Sequence, residues 1–350
     1  MGMIAGLFAL LVLPASANDV GESVRFKGRA VMRAEPFQPS GTGSVLFDTG
    51  ASDQPAAPYD AVLLQGIMPD GGLRIEVALP SFGGLWTSWA PAEVKRFPSG
   101  RFWARYRFDG PGRLPLRLRV VDAGVKAAHL FEIFDAELFV AGTGVEAGAR
   151  TGEVPPAVQP SSGTYRFVRR ADWGAQPPTS DYTAHTPGRL TMHHTAGRKP
   201  ATFAEAAAEM RFIQDFHING RGWIDVGYHF VISPTGHVFE GRPEGVVGAH
   251  VLNHNTGNVG ASFMGNYQPP ATGEPAAEAL SAFVALGRRL VSDHRIPAEK
   301  VQAHRDLGSS DCPGDTLYAK LPGLREQIAA GPRLPKGDLP VEAYLKSLPW

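Results

Sequence analysis

Hydrophobic and polar positions alternate with a period of two in short segments before residue 142, such as 61–66, 73–78, 116–121 and 137–141. Clusters of Gly, Pro and Asp, which favour turns, separate these segments. Because successive side chains of a β-strand point to opposite faces, each segment predicts a strand with one buried face. Several such strands in a row are typical of a sandwich. We therefore predict an all-β, sandwich-like accessory domain over residues 18–141.

Helical periodicity enters the pattern after residue 165. The sequence Thr202-Phe-Ala-Glu205 fits a helix capping box, and apolar residues follow it at helical spacing. A second amphipathic helix is predicted to begin near Pro275. Strands are predicted at 189–193, 226–233, 237–240 and 259–264, with a hairpin turn at Ser233–Gly236. The mixture predicts an α/β domain over residues 165–331.

Three segments lie outside these two domains. Residues 142–164 are rich in Gly, Ala, Pro, Ser and Thr, a composition that predicts a linker. Residues 332–350 are predicted to form a C-terminal tail. An uncharged apolar run ends at the cleavage-like pattern Ala15-Ser-Ala17, and it is shorter than the about 20 residues that span a bilayer. We expect residues 1–17 to be a signal peptide, although no Lys or Arg precedes the run. The alternative is a buried N-terminal strand.

Composition and charge narrow the class of protein. The 34 Lys and Arg residues balance 34 Asp and Glu residues, so we expect no nucleic acid partner. The hydrophobic fraction of 43% is that of a folded soluble protein, and 350 residues suffice for two domains. The single cysteine, Cys312, excludes a disulfide within the chain. It is therefore a metal ligand, a nucleophile or a buried residue without chemistry.

Three side chains are candidates for a metal site. His193 ends a predicted strand, and His304 precedes Cys312 by eight residues. Imidazole and thiolate are ligands that zinc prefers, and three of them leave a fourth position for the water of a hydrolase. The chain has 11 histidines, so this spacing alone also fits a surface histidine and a buried cysteine. The pattern favours a Zn²⁺ site without establishing it.

Seven motifs of the second half occur in the order found in one enzyme family. They are Arg170-Ala-Asp-Trp-Gly174, Met192-His-His-Thr-Ala196, Gly222-Trp-Ile-Asp-Val-Gly-Tyr-His-Phe230, Glu240-Gly-Arg242, Gly248-Ala-His250, Gly265-Asn-Tyr267 and Ala303-His-Arg-Asp306 followed by Cys312-Pro-Gly314. The segment from Arg170 to Gly331 resembles the amidase-2 family throughout, which includes peptidoglycan recognition proteins and the phage T7 lysozyme type of amidase. The resemblance implies a mixed central sheet flanked by helices, with a zinc-holding groove.

The resemblance also implies an activity and the residues that perform it. The family's zinc ligands fall on His193, His304 and Cys312, and relatives that only bind peptidoglycan typically lack the cysteine. Tyr228 matches the catalytic tyrosine, and strand alternation would place it on one face with Phe230 and Ile232. Ser310 takes the position where phage members have a proton-delivering lysine and many animal members a threonine. The implied reaction is zinc-dependent hydrolysis of the amide between the lactyl group of N-acetylmuramic acid and L-alanine.

Further residues match positions that contact the muramyl sugar or the peptide stem in the recognition proteins. These candidate substrate-binding residues are His217, Arg221, Gly222, Trp223, His250 and Asn255. A core histidine and a solvated arginine are the alternative interpretations of His217 and Arg221. A Gly-Trp pair after the groove arginine accompanies stems with meso-diaminopimelate at the third position. We therefore expect Gly222-Trp223 to favour such stems over lysine stems.

Several interpretations of the whole chain remain open from the sequence. The main alternative to an amidase is a non-catalytic peptidoglycan-binding recognition module, and another is an amidase of soluble muropeptides. We expect an exported protein, periplasmic or secreted, that is a monomer with no membrane span in its mature form. The linker leads us to expect two separable units. The first would then raise the affinity for insoluble wall.

Overall fold

The computed structural model describes residues 21–30, 33–81, 85–141, 165–271 and 273–331. The predicted signal peptide at 1–17, linker at 142–164 and tail at 332–350 lie outside these described residues. Within the described ranges, no helix is both long and apolar enough to cross a membrane.

The first half of the chain consists of antiparallel β-sheets. Its strands are β1 (Glu22–Ser23), β2 (Arg25–Phe26), β3 (Arg29–Ala30), β4 (Arg33–Phe37), β5 (Val45–Asp48), β6 (Tyr59–Ile67), β7 (Leu73–Ala78), β8 (Ala90–Pro91), β9 (Glu93–Arg96), β10 (Arg101–Gly112), β11 (Arg117–Asp122) and β12 (His129–Phe139). One sheet has the order β1-β12-β6-β10-β9, with β4 also pairing β12, and a second has the order β5-β11-β7-β8. Side chains from both sheets, such as Leu64 and Val120, form one hydrophobic core. The elements of this half are β, as the period-two segments predict.

The second half contains a six-stranded mixed sheet with helices on both sides. Its strands are β13 (Arg166–Val168), β14 (Arg189–His194), β15 (Phe230–Ile232), β16 (His237–Glu240), β17 (Asn258–Phe263) and β18 (Val301–Ala303), and its helices are α1 (Arg170–Trp173), α2 (Phe203–Asp215), α3 (Ala277–His294), α4 (Asp315–Tyr318) and α5 (Leu321–Ala329). The strand order is β13-β16-β15-β17-β14-β18, parallel except between β15 and β16. Helices α3 and α5 share a core with one face of this sheet, and α2 packs on the other. The predicted mixed sheet flanked by helices is confirmed.

Local sequence signals explain the start of α2 and the turn between β15 and β16. The Thr202 hydroxyl accepts a hydrogen bond from the Glu205 N–H, and the Glu205 carboxylate accepts one from the Thr202 N–H, so the predicted capping box starts α2. The predicted hairpin turn joins β15 to β16, with the Gly236 N–H donating to the Ser233 carbonyl. Gly236 has φ 77°, a left-handed conformation that glycine adopts without steric cost.

The two halves of the chain share a hydrophobic core. Leu63 on β6 and Trp103 on β10 belong to the same buried cluster as Met210 on α2. Arg101 and Glu209 form an ion pair across the boundary, with side chains 1% and 2% exposed. Asp215 accepts a hydrogen bond from the Trp103 indole N–H at 2.9 Å. These contacts argue against the expectation of two separable units, because separation would expose apolar surface and uncover buried charges.

We expect Glu209→Gln to lower the free energy of unfolding of the full chain by about 3–5 kcal/mol, since it leaves the buried Arg101 charge without its counter-charge. Urea unfolding measures this change. The control is Glu93→Gln, which removes a carboxylate from the more exposed pair with Arg105. That change is expected to cost less than about 1 kcal/mol. Equal costs for both variants would contradict a structural role for the buried pair.

Candidate functional site

Two neighbouring strands bring the candidate histidines together. Met192 on β14 pairs with Ala303 on β18 in parallel register, so His193, still within β14, and His304, the first residue after β18, lie side by side. Their rings are 4.9 Å apart between centroids. Cys312 follows in the next loop, with its Sγ 3.5 Å from His193 Nδ1. The ligand atoms of the three residues all lie within 4.8 Å of one another, so this triad could hold a metal ion.

The charge states of the two histidines of the triad suit metal binding. Burial lowers the pKa of His304 to about 4 and that of His193 well below its usual value, so both imidazoles are neutral near pH 7. Burial raises the pKa of the Cys312 thiol to about 12. The backbone N–H of His194 lies 3.4 Å from Cys312 Sγ and favours negative charge on the sulfur. Two neutral imidazoles and a sulfur fit zinc, whose binding would release the thiol proton.

A chain of hydrogen bonds sets the tautomer of His193. His250 Nε2 lies 3.1 Å from the Asn258 carbonyl oxygen, which can only accept, so this nitrogen donates. Burial lowers the pKa of His250 to about 3, so the ring is neutral and its Nδ1 accepts from His193 Nε2 at 3.0 Å. His193 Nδ1 is therefore unprotonated on the side of Cys312. Such outer partners orient metal-binding histidines.

Two of the predicted substrate-binding residues, His250 and Asn255, belong to the hydrogen-bonded network that orients His193. Both ring nitrogens of His250 are already hydrogen-bonded, although the ring also borders the pocket. The Asn255 side-chain oxygen accepts hydrogen bonds from the backbone N–H groups of His250 and Val251. Asn255 is buried behind the pocket, and the pocket wall formed by the described residues does not include it. The geometry gives both residues a positioning role.

Tyr228 lies beside the triad, but its side chain does not share a face of the sheet with Phe230 and Ile232, as strand alternation predicted. The regular ladder of β15 starts only at Phe230, opposite Glu240. Before it, the consecutive carbonyls of Tyr228 and His229 accept from the consecutive N–H groups of Arg242 and Gly241, a pattern that breaks strand alternation. Phe230 therefore joins the core under α3, whereas Tyr228 packs toward the opposite core.

The Tyr228 ring borders the pocket next to the metal-binding candidates. Its centroid is 5.3 Å from that of His193 and 5.7 Å from that of His217. Burial raises the pKa of its hydroxyl above the usual value. The phenol therefore stays protonated at neutral pH and can donate a hydrogen bond.

The remaining predicted residues surround the same pocket. Helix α2 continues into a π-helical turn, Phe216–Arg221, which places His217 and Arg221 at the wall, followed by Trp223. Gly222 ends this turn with φ 85°, a left-handed conformation that glycine adopts readily, so a glycine at this position is explained by the helix end. Ser310 also lines the pocket, and its Oγ accepts from the Cys312 N–H at 3.1 Å.

The first half of the chain forms part of this pocket, which the sequence analysis missed. The residues that it contributes are Gly21, Ser23, Phe134, Asp135 and Glu137. Glu137 pairs with Arg221, and Arg25 pairs with Asp311 at 2.5 Å. Burial raises the pKa of Asp135 to about 6. No local sequence pattern marks these residues, because only the packing of the two halves brings them to the site.

The sequence of the chain is similar to those of several known proteins. The profile of the N-acetylmuramoyl-L-alanine amidase family matches residues 183–315. The chain is 34% identical over 161 residues to peptidoglycan-recognition protein SC2 of Drosophila simulans, covering 44% of this chain and 84% of that protein. It is 38% identical over 159 residues to an N-acetylmuramoyl-L-alanine amidase of Sus scrofa, covering 43% of this chain and 26% of that protein. The solved structure of Drosophila PGRP-LB is 32% identical with a TM-score of 0.41, covering 50% of this chain and 99% of that one.

Fold and site together define a mixed α/β domain with a candidate His-His-Cys metal centre at the edge of its sheet. The chain belongs to the amidase-2 family, which includes the peptidoglycan recognition proteins. Membership in this family supports either cleavage or recognition of peptidoglycan.

Proposed function

We propose that the protein is a zinc-dependent N-acetylmuramoyl-L-alanine amidase that acts on peptidoglycan outside the cytoplasm. The observation that carries the proposal is the convergence of His193, His304 and Cys312 with Tyr228 at one pocket. A module that only binds peptidoglycan has no need of three metal-ligand side chains within 4.8 Å of one another. The tautomer of His193, fixed by His250, adds support, since it prepares Nδ1 for ligation.

The proposed chemistry divides between the metal and the side chains. Zinc held by His193, His304 and Cys312 would supply the Lewis acid that hydrolysis of an amide requires. The Tyr228 hydroxyl, protonated because of its burial, donates a hydrogen bond to the carbonyl oxygen as negative charge develops there. Ser310 can donate a hydrogen bond but is a poor acid. The proton for the leaving amine therefore comes through water or from Tyr228.

Purified sacculi incubated with the full chain are expected to release stem peptides that begin with L-alanine, detected by mass spectrometry. A chelator should abolish the release, and added zinc should restore it, because the proposed activity depends on the metal. Heat-denatured protein is the control for contaminating peptides. Co-sedimentation of the protein with sacculi but without any free stem peptide would instead support a non-catalytic recognition module.

A further inference from the structure

A carboxylate from the first half of the chain is paired with the cation of the pocket. Glu137 on β12 forms an ion pair with Arg221, with side chains 16% and 3% exposed. Arg221 is the only Lys or Arg lining the pocket within the part of the chain that the structure describes.

Glu137 is held by regular backbone structure. Its strand lies between two others, with Glu137 opposite Ser23 on β1 and opposite Leu63 on β6. A central strand position fixes the Cα atom, so the carboxylate reaches Arg221 without ordering a loop. The carboxylate is thus a fixed part of the pocket wall.

The guanidinium of Arg221 is also held from several sides. It faces the rings of Phe139 and Trp223, at 4.9 and 5.3 Å from their centroids. A Cβ atom placed on Gly21 would approach its Nη1 to 3.0 Å, so the backbone of the first half closes over it. These contacts keep the guanidinium in place whether or not Glu137 carries a charge.

We propose that Glu137 is a specificity-determining residue that withholds Arg221 from carboxylates of the substrate. The inference rests on the proposed peptidoglycan substrate. A carboxylate of the stem that enters the pocket must compete with a preorganised carboxylate for the same cation, and it meets like charge beside it. The pocket therefore gains nothing from the extra carboxylate by which a diaminopimelate residue differs from lysine. This cancels the preference for diaminopimelate stems that is expected from Gly222-Trp223.

The test compares two muropeptides that differ only in diaminopimelate or lysine at the third position. Both are offered together to the full chain, so the ratio of their kcat/KM values comes from one reaction. The wild type is expected to favour neither by more than about threefold. Glu137→Gln should shift the ratio toward diaminopimelate by about tenfold or more, the contribution of one hydrogen bond to a charged group.

Two further variants tie this shift to Arg221. The double variant Glu137→Gln/Arg221→Gln removes both charges and should show no shift, which also guards against a general effect of replacing Glu137. Glu93→Gln, in the more exposed pair with Arg105, should retain the wild-type ratio. If Glu137→Gln fails to fold by circular dichroism, Glu137→Asp replaces it, because its shorter carboxylate should release Arg221 in part.

The outcomes separate this inference from the proposed activity. An unchanged ratio in Glu137→Gln, or an equal shift in the double variant, would overturn the role of Glu137. If the wild type cleaves neither muropeptide, the proposed amidase activity fails. In that case the dissociation constants of the two muropeptides are measured on the wild type and on the same variants. Their ratio should shift in Glu137→Gln and stay unchanged in the double variant, as described for kcat/KM.

Discussion

Replacing Cys312 by serine is expected to remove bound zinc and to abolish hydrolysis while the chain stays folded. Sulfur is the one soft donor of the triad, and it becomes an anion when it binds zinc. A serine hydroxyl keeps its proton at neutral pH and leaves two neutral imidazoles, which bind zinc far more weakly. Elemental analysis of the purified wild type and variant measures the metal content directly.

A second readout for Cys312→Ser is independent of turnover. Zinc that binds only the folded state raises the midpoint of thermal unfolding, so added zinc should stabilise the wild type but not the variant. His237→Gln is the control, since its ring lies beside Phe203 on α2 and Phe239 on β16, and this variant should keep its zinc. Equal zinc content in the wild type and Cys312→Ser would refute the assignment of the ligand.

Signals that act over a few residues were readable in the sequence. The capping box at Thr202 and the turn at Ser233–Gly236 predict structure because their hydrogen bonds join residues no more than four apart. The motifs place His193 near the end of one strand and His304 directly after the neighbouring strand. The prediction of the ligands, which rests on resemblance, agrees with a geometry that the strand register enforces.

The packing of the first half against α2 is visible in the sequence of β6, where the apolar pattern is not the alternation expected of a strand with one buried face. Residues 61–66 do not alternate with a period of two, contrary to the prediction from the sequence: Ala61-Val-Leu-Leu64 is a continuous apolar run, and such runs indicate strands buried on both faces. Val62 and Leu64 face the core between the sheets, whereas Ala61 and Leu63 face the core shared with α2. The run therefore indicated a second packing surface, although it could not identify the partner.

The ion pairs that Glu137 and Arg25 make with the second half of the chain could not be read in the same way. Each is one charged residue among many, and its partner lies 84 residues away for Glu137 and 286 residues away for Arg25. Alternation predicts only that Glu137 points away from the core of its sheet. What it meets there depends on the second half of the chain, so tertiary packing alone decides whether it is a solvated charge or part of a site.

Replacing Tyr228 by phenylalanine is expected to lower kcat by about 10²–10³-fold, the loss that follows removal of one donor to a developing oxyanion. The ring stays, so its packing against His193 and His217 is retained, and zinc content should match the wild type. KM should change little, because the hydrogen bond strengthens mainly in the transition state. Steady-state kinetics on a soluble muropeptide separates the two parameters.

Tyr267→Phe provides the matched control for Tyr228→Phe. The Tyr267 hydroxyl is also buried, but it donates to the Met264 carbonyl at 3.0 Å. Its removal should cost about 1 kcal/mol of stability and leave kcat near the wild-type value. A loss of kcat in both variants would point to a general effect of removing a buried hydroxyl. An unchanged kcat in Tyr228→Phe would make Tyr228 a packing residue, and the oxyanion would then have to be stabilised without it.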